Sequence, residues 1–166
     1  MEITQAKPND LIEILYLLRV CISDMHAKGL KYWNSAYPSK DLIEKDLNNG
    51  CIYLVKDNRV CKGMVTLSCS EPDEYRQVQF RFSSDKPLFM QRLAVHPAWQ
   101  ESQLANLLVE FAQKFAMEHG CSSIRTDVHQ SSRDDRSFCE GQHFTEVGAY
   151  QAGYQQVPFI CYEKQL

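Results

Sequence analysis

Long apolar runs are missing from this sequence. The longest stretch, Leu11 to Cys21, is interrupted by Glu13 and Arg19 and is far shorter than the roughly 20 apolar residues of a membrane-spanning helix. The opening letters MEITQA contain no basic region followed by an apolar one, so we expect no signal peptide. A cytoplasmic protein without a membrane partner is therefore predicted.

The sequence also lacks any cluster of lysine and arginine. Its net charge at pH 7 is −3, and proteins bind nucleic acids through basic surfaces, so we expect no nucleic-acid partner. A hydrophobic share of 44% and a charged share of 23% are those of a globular protein and exclude a disordered or fibrous one. A chain of 166 residues without repeats or linkers predicts one domain over residues 1–166.

Metal-binding and hydrolase motifs are absent as well. The seven cysteines include no C-x-x-C pair and no Cys/His group with zinc-ligand spacing, so no metal site is predicted. Most of them are expected to be small buried residues in a reducing compartment. No nucleophile elbow or Ser/His/Asp arrangement is present, which excludes a hydrolase of that kind.

Apolar residues at helical spacing predict four helices. The first opens at Pro8-Asn9-Asp10 and ends near Gly29, and its apolar positions follow the i, i+3, i+4, i+7 rule. The others are predicted from Ser39 through Leu47, from about Ser102 to His119, and from Arg133 to Gly141.

Runs rich in β-branched and aromatic residues predict seven strands. They are Glu2–Ala6, Cys51–Val55, Val60–Ser68, Lys86–Val95, Ser122–His129, Phe144–Tyr154 and Val157–Glu163. Residues 56–59 form the predicted turn between the second and third strands, and residues 71–87 a long polar connection of the kind that tends to be functional or mobile. The strand–helix–strand order in the middle implies a partly parallel sheet. The fold class is α/β (α+β), with a mixed, mostly antiparallel sheet flanked by helices.

One segment carries a family resemblance. The stretch QRLAVHPAWQ, residues 91–100, joins a strand ending in L-A-V-H-P to a helix through a glutamine. It resembles the acetyl-CoA segment of the GNAT superfamily of N-acetyltransferases, whose pattern continues Q/R-x-x-G-x-G/A. The letters QESQLA match this pattern at Gln100 and Ala105, but Gln103 replaces the central glycine.

A second segment strengthens the resemblance. The stretch SRDDRSFCEGQHF is similar to the family's N-x-x-A-x-x-F-Y-E-K-x-G-F and matches it at Phe138, Glu140 and Phe144. Ser132 replaces the asparagine, and Cys139 replaces the tyrosine. Shorter pieces that resemble one branch of the family lie at residues 29–33, 37–39, 46–50 and 158–164, so the similarity covers nearly the whole chain.

The resemblance implies a single GNAT-type acyltransferase that moves an acetyl group from acetyl-CoA to a primary amine of a small molecule or peptide. The end of the fourth strand would bind the pantetheine arm, and the helix N-terminus after it would bind the pyrophosphate. A monomer or homodimer without a metal is expected. The implied coenzyme-binding residues are Leu93, Ala94, Val95, Gln100, Glu101, Ser102, Gln103, Leu104, Ala105, Ser132 and Phe138.

Two catalytic residues are predicted. Cys139 occupies the position of the tyrosine that acts as general acid in the family. It could protonate the departing thiolate, or it could simply be a buried helix residue. Many family members have a carboxylate that acts as general base at or near the position of Gln91. The Gln91 side chain itself cannot accept a proton. His129 titrates in the right range and is the preferred base, although a lone histidine at a strand end can also be an ordinary structural residue. Asp127 lies on the same strand face.

The acceptor amine would contact aromatic residues. Trp33 and Tyr37 would line the pocket in the related branch, or they could cover the core between two helices. Gln91 and Tyr150 complete the predicted acceptor site, and Tyr154 is a further candidate. Two other functions stay open: a catalytically weak or silent domain that binds or senses acyl-CoA, and an interaction module that shares the fold without binding coenzyme A.

Overall fold

The predicted order of elements is confirmed. The computed structural model describes residues 2–57, 60–82, 86–153 and 155–166. Their helices and strands, in chain order, are β1 Ile3–Gln5, α1 Leu11–Ala27, α2 Lys40–Asn48, β2 Ile52–Asp57, β3 Val60–Ser68, β4 Pro87–Val95, α3 Leu104–Glu118, β5 Ser123–His129, α4 Arg133–Gly141, β6 Thr145–Tyr150 and β7 Phe159–Gln165. None of the helices in this described part of the chain is long and apolar enough to cross a membrane.

The strands form the predicted mixed sheet. They are hydrogen-bonded in the order β1-β2-β3-β4-β5-β7-β6. The β4–β5 pair is parallel, whereas β1–β2, β2–β3, β5–β7 and β6–β7 are antiparallel. Internal contacts divide the chain into two compact units, Met1–Leu67 with Arg92–Phe111 and Ser68–Gln91 with Ala112–Leu166.

The first unit packs α1 and α2 against β2 and β3. A short 3-10 helix, Pro8–Asp10, leads into α1, and Gly29 follows that helix with a φ of +80°, a conformation that glycine adopts without strain. The side chain of Ser39 caps α2 by accepting a hydrogen bond from the Leu42 amide at 3.2 Å. The buried core residues are Ala6, Ile14, Leu17, Leu18, Cys21, Ile43, Leu47, Ile52, Leu54, Cys61, Met64 and Ala94.

The second unit is built on the antiparallel ladder of β5, β7 and β6. Asp127 lies opposite Cys161, His129 lies opposite Phe159, and Phe159 lies opposite Tyr150. Directly opposite residues project to the same face of a sheet, so the register fixes which side chains meet. A buried cluster of Tyr75, Phe89, Tyr150 and Cys161 fills the core of this unit.

The connection at residues 71–87 is more ordered than its polar composition suggests. It contains a 3-10 helix, Asp73–Gln77, and Tyr75 in that helix is only 1% exposed. The Tyr75 ring lies 5.6 to 5.9 Å from the rings of Phe80, Phe89 and Tyr150. One aromatic side chain therefore anchors the first part of the segment in the core. Ser83 and Ser84 of the same connection lie outside the described residues.

Several predicted boundaries are wrong: β2, for example, extends to Asp57 rather than ending at Val55, and β7 begins at Phe159 rather than Val157. Helix α3 begins at Leu104 and not at Ser102, because the amide and hydroxyl of Ser102 both donate to the Trp99 carbonyl oxygen and close a turn there. Strand β6 ends at Tyr150, so residues 151–153 of the predicted strand lie outside it. Tyr154 lies outside the described residues, as do Asn58 and Arg59 of the predicted hairpin turn.

A buried ion pair anchors the loop before β4 within the second unit. Glu163 is completely buried, and its Oε1 accepts a hydrogen bond from Arg125 Nε at 3.0 Å. Its Oε2 accepts the amide hydrogens of Arg81 and Phe82 at 2.9 and 3.1 Å, and Arg125 Nη2 donates to the Phe82 carbonyl oxygen at 3.0 Å. The Arg125 guanidinium also lies 4.1 Å from the centre of the Phe80 ring. Both charged groups therefore form hydrogen bonds with each other and with backbone groups of the loop.

Glu163→Gln should lower the free energy of unfolding by about 3 kcal/mol, because it leaves the buried guanidinium of Arg125 without a counter-charge. Urea denaturation at pH 7 measures this loss. Glu146→Gln is the matched control, since the partly exposed Glu146–Arg136 pair should contribute less than about 1 kcal/mol. Equal losses in the two variants would contradict the importance given to the buried pair.

Candidate active site

The parallel strands β4 and β5 share backbone hydrogen bonds over a short distance. Within the second unit they pair at Pro87–Ser123, Leu88–Ile124 and Phe89–Arg125. Both strands continue beyond these pairs, β4 through Met90 and Gln91 and β5 through residues 126–129. No further pair joins these described residues of the unit. Buried peptide groups need hydrogen-bond partners, so a strand edge that separates in this way suits a ligand with peptide-like groups.

In the first unit, the second half of β4 has an irregular backbone. Arg92 has a φ of +51°, the left-handed conformation that non-glycine residues rarely adopt. Leu93 and Val95 after it are half-buried, and Ala94 is buried. A Cβ atom at Gly63 would lie 3.2 Å from the Ala94 carbonyl oxygen, so the glycine lets β3 pass close to this strand. The irregularity therefore lies directly before the residues predicted to bind the pantetheine arm.

The loop that follows β4 ends at the N-terminus of α3. The Gln100 side chain accepts a hydrogen bond from Lys28 Nζ at 3.0 Å and donates one to the Asp24 carboxylate at 3.2 Å. Glu101 is exposed, so its charge faces solvent. The Leu104 amide donates to Ser102 Oγ at 3.3 Å, whereas amides in the first turn have no carbonyl partner within the helix. A helix N-terminus can donate hydrogen bonds to an anion, and Ala105 carries the first amide after that of Leu104.

Gln103, the residue that replaces a family glycine, lies outside the helix. Its carbonyl oxygen accepts the first helical hydrogen bond, from the Leu107 amide at 2.9 Å. The side chain is exposed and accepts a hydrogen bond from Asn106 Nδ2. The φ of Gln103 is not positive, so the backbone does not require a glycine at this position. The loop therefore differs from the family pattern in having the Gln103 side chain and not in having a strained backbone at that residue.

The predicted acid and base lie on opposite faces of the sheet in the second unit. Register places His129 and Asp127 on the face that carries Phe159 and Cys161. Helix α4, which carries Cys139, packs on the other face, where its Arg136 Nε donates to the Tyr162 hydroxyl at 3.4 Å. The structure therefore does not bring Cys139 and His129 together on one side.

His129 is a buried, neutral imidazole. Burial lowers its pKa, so the ring is deprotonated at neutral pH and able to accept a proton. Its Nδ1 lies 2.6 Å from Ser131 Oγ and accepts a second, longer contact of 3.4 Å from the Ser131 amide. The Phe159 ring meets the imidazole edge-on at 5.1 Å. Ser131, which sequence reasoning missed although it is two residues away, orients the ring.

Cys139 is a poor candidate for a general acid by its environment. It is buried in α4, and burial raises its pKa to about 12, with Asp135, Asp127 and Glu140 adding to the shift. An ordinary thiol has a pKa of about 8.5, so Cys139 is a weaker acid than an exposed thiol and is poorly suited to protonate a departing thiolate. The proposed acid role stays a prediction, and the burial favours the alternative of a core residue.

Ser132 and Phe138, the coenzyme candidates of α4, differ in exposure. Ser132 is buried, and its hydroxyl donates to the Asp135 carboxylate at 2.6 Å, so the side chain is already engaged inside its own helix turn. Phe138 is half-buried. Of the two, Phe138 has the surface that a ligand can contact.

The predicted acceptor residues are divided between the two units. In the first unit, Trp33 packs against the core, and the Tyr37 hydroxyl accepts a hydrogen bond from Arg92 Nη1 at 3.4 Å. In the second, Gln91 is half-buried, and the Tyr150 hydroxyl donates to the Asp127 carboxylate. Among the described residues, no group of three or more His, Cys, Asp and Glu side chains is placed to hold a metal ion.

Sequence comparison points to one family. Residues 19–144, more than half of the chain, match the model of the Acetyltransferase (GNAT) family. No curated protein matches the chain significantly by sequence.

Solved acetyltransferase structures share the fold at low identity. A GNAT-family acetyltransferase from Streptococcus agalactiae 2603 has a TM-score of 0.84 at 16% identity, covering 99% of this chain and 95% of its own. Another, from Listeria monocytogenes 4b F2365, has a TM-score of 0.79 at 20% identity, covering 99% and 94%. The PaiA N-acetyltransferase from Thermoplasma acidophilum, in complex with coenzyme A, has a TM-score of 0.72 at 16% identity, covering 99% and 98%. At these identities the likeness shows the fold alone.

His129 should make the protein less stable in acid. Since burial lowers its pKa in the folded state, the unfolded chain binds the proton first, and stability falls as the pH drops below about 6.5. His129→Gln should therefore lose less unfolding free energy than the wild type between pH 7.5 and pH 5.5, as measured by urea denaturation. His119→Gln, which removes an exposed imidazole, is the control and should behave like the wild type. Parallel curves for all three proteins would show that His129 titrates normally.

Proposed function

Because the chain belongs to the GNAT acetyltransferase family, we propose that it moves an acetyl group from acetyl-CoA to a primary amine of a small molecule or peptide by direct attack. The observation that carries the proposal is the course of β4. This strand stops pairing with β5 after Phe89, passes through a left-handed residue at Arg92, and leads into the N-terminus of α3. An extended edge followed by a helix terminus suits a ligand that has an amide-bearing arm and a phosphate group.

We assign the coenzyme-binding residues from this course. Backbone groups of Leu93, Ala94 and Val95 would pair with the pantetheine arm, as one strand pairs with another. The loop of residues 100–105 would hold the pyrophosphate through its amides and the positive end of the α3 dipole. Lys28, which contacts Gln100 beside this loop, is paired with the Asp24 carboxylate at 2.7 Å. In α4, Phe138 would contact the coenzyme through its half-buried ring.

When bound, acetyl-CoA supplies an activated thioester carbonyl. Amide hydrogens near the end of β4 would polarise its oxygen, in the manner of an oxyanion hole. His129 would take the proton from the attacking amine, because its lowered pKa keeps the imidazole neutral at neutral pH. Ser131 would hold the ring at Nδ1. Asp127 lies on the same face and is a second group able to attract an ammonium ion.

The departing thiolate needs little help to leave. With a pKa of about 12 in its buried position, Cys139 would remain a spectator, and water would supply the proton. A thiolate is a tolerable leaving group, so the loss of the family's tyrosine would slow the reaction without abolishing it. On the acceptor side, we assign Trp33 and Tyr37 in the first unit and Gln91 and Tyr150 in the second as residues that contact the amine.

A silent acyl-CoA-binding domain is the alternative. Three departures from the family pattern favour it: Gln103 in place of a glycine, Gln91 in place of a carboxylate, and Cys139 in place of a tyrosine. The raised pKa of the Cys139 thiol adds to them. This alternative keeps coenzyme binding and loses turnover, so it can be separated from the first proposal by experiment.

Coenzyme A and acetyl-CoA should bind and raise the melting temperature, since a ligand of the folded state stabilises it by about 2.7 kcal/mol at a hundredfold excess over Kd. Calorimetry and thermal melts test binding, and release of free thiol from acetyl-CoA tests turnover with alkyl amines, diamines, aromatic amines and peptide N-termini. Binding together with turnover is expected. Binding without turnover of any amine would select the silent domain, and no binding at millimolar acetyl-CoA would reject both proposals.

Gln103→Gly should tighten coenzyme A, because removing the side chain lets the loop amides approach the pyrophosphate more closely. The stability cost should be only a few tenths of a kcal/mol, since Gln103 lies at the helix cap and not inside α3. Calorimetric affinity and urea denaturation separate the two effects. Gln103→Ala is the control for loss of side-chain bulk alone. Unchanged affinity in both variants would show that the loop is adapted to Gln103.

A further inference from the structure

Arg92 carries an unusual backbone for a strand residue. Its φ of +51° lies within β4, and His143 is the one other described non-glycine residue with a positive φ. Left-handed backbone costs free energy in every residue that has a Cβ atom. Such conformations persist where the surroundings hold them in place, and they concentrate at functional sites.

The side chain of Arg92 is as unusual as its backbone. It is 6% exposed, and its Nη2 forms an ion pair with the Asp46 carboxylate of α2. Nη1 donates to the Tyr37 hydroxyl at 3.4 Å. The third donor, Nε, is buried and has no hydrogen-bond partner among the described residues. A buried donor without a partner is destabilising, so the side chain of Arg92, like its backbone, lowers the stability of the folded protein.

Asp46 is the partner that makes this arrangement possible. Its side chain is 13% exposed, and burial raises its pKa, while the charge of Arg92 acts in the opposite direction. Its own backbone is fixed, since its carbonyl oxygen accepts the Cys51 amide hydrogen at 2.9 Å after the end of α2. The ion pair therefore joins the guanidinium of a strand residue with a left-handed backbone to helix α2 of the same unit.

Stability alone does not account for this pair. Buried ion pairs can be replaced by apolar side chains of similar size with little loss, and often with a gain. A regular strand with an apolar residue 92 would also avoid the left-handed backbone. What the pair does supply is a fixed position for the Arg92 side chain, at the point in β4 that directly precedes Leu93 to Val95.

We propose that Arg92 is a positioning residue for the coenzyme. Held by Asp46, it fixes the left-handed turn in β4 and so directs the backbone groups of Leu93 to Val95 toward the pantetheine arm. The same guanidinium contacts Tyr37, so one side chain supports both the coenzyme strand and the acceptor loop of the first unit. The inference rests on the proposed function, because it assumes that Leu93 to Val95 bind coenzyme A.

The test compares Arg92→Met, Arg92→Lys and Asp46→Asn with the wild type. Misplacing a binding group by about 1 Å can weaken function by up to about a hundredfold. We expect Arg92→Met and Asp46→Asn to raise the calorimetric Kd for coenzyme A by about tenfold or more, and Arg92→Lys to recover part of the loss. The KM for acetyl-CoA should rise more than kcat falls. Hydrogen exchange at the amides of residues 93–95 should become faster in the weakened variants.

Lys56→Met is the matched control in the same unit. It breaks the ion pairs of Lys56 with Asp10 and Glu13, each 2.5 Å long, without touching β4. This variant should lose stability and keep the wild-type affinity for coenzyme A. A loss of affinity that merely follows the melting temperature in every variant would reduce Arg92 to a structural residue and overturn the inference.

The outcomes also separate this inference from the proposed function. A wild-type protein that does not bind coenzyme A overturns the proposed function, and the inference falls with it. A wild type that binds, with folded Arg92→Met and Asp46→Asn variants that bind equally well, overturns the inference alone. If Arg92→Met fails to fold, Asp46→Asn and Arg92→Lys decide, because each keeps a polar side chain of nearly the original size.

Discussion

Backbone hydrogen bonding between β4 and β5 stops at Phe89 and Arg125, and several features of the second unit follow from this limit. Parallel strands normally continue to pair, because each unpaired peptide group must find another partner. Here Arg125, the last residue of β5 that pairs with β4, has its side chain hydrogen-bonded to Glu163 and to the loop at Phe82. A buried charge with hydrogen-bond partners thus marks the point where pairing between β4 and β5 ends.

The order of helices and strands could be predicted from the sequence because it depends on local patterns. Apolar residues at helical spacing locate α1, and glycine with a left-handed backbone follows it at Gly29. Tyr75 could not be predicted to lie in the core, since it is a single aromatic residue in a polar stretch and its burial depends on rings distant in sequence. The left-handed backbone of Arg92 could not be predicted either, because the side chain is paired with the Asp46 carboxylate of α2, which is distant in sequence.

The site shows the same division between pattern and environment. The family motifs identified Cys139 and the loop around Gln103 as candidates. A sequence motif does not show whether a side chain is buried, and burial changes the pKa of a thiol. Burial raises the pKa of the Cys139 thiol to about 12, which makes it a weaker acid than an exposed thiol, so its acid role remains a prediction. His129 was named from its position at a strand end, and the structure adds the two facts that matter for a base: a lowered pKa and a serine at Nδ1. Its assignment as the base remains a prediction.

The buried Arg125–Glu163 pair also bears on how the second unit responds to heat. Hydration of charged groups becomes less favourable as temperature rises, so the penalty for keeping these two groups out of water becomes smaller. The gain from burying apolar surface, in contrast, levels off. The pair therefore becomes relatively more favourable on warming, so the importance of the contacts that hold the loop at Arg81 and Phe82 grows with temperature relative to the apolar packing of the aromatic cluster.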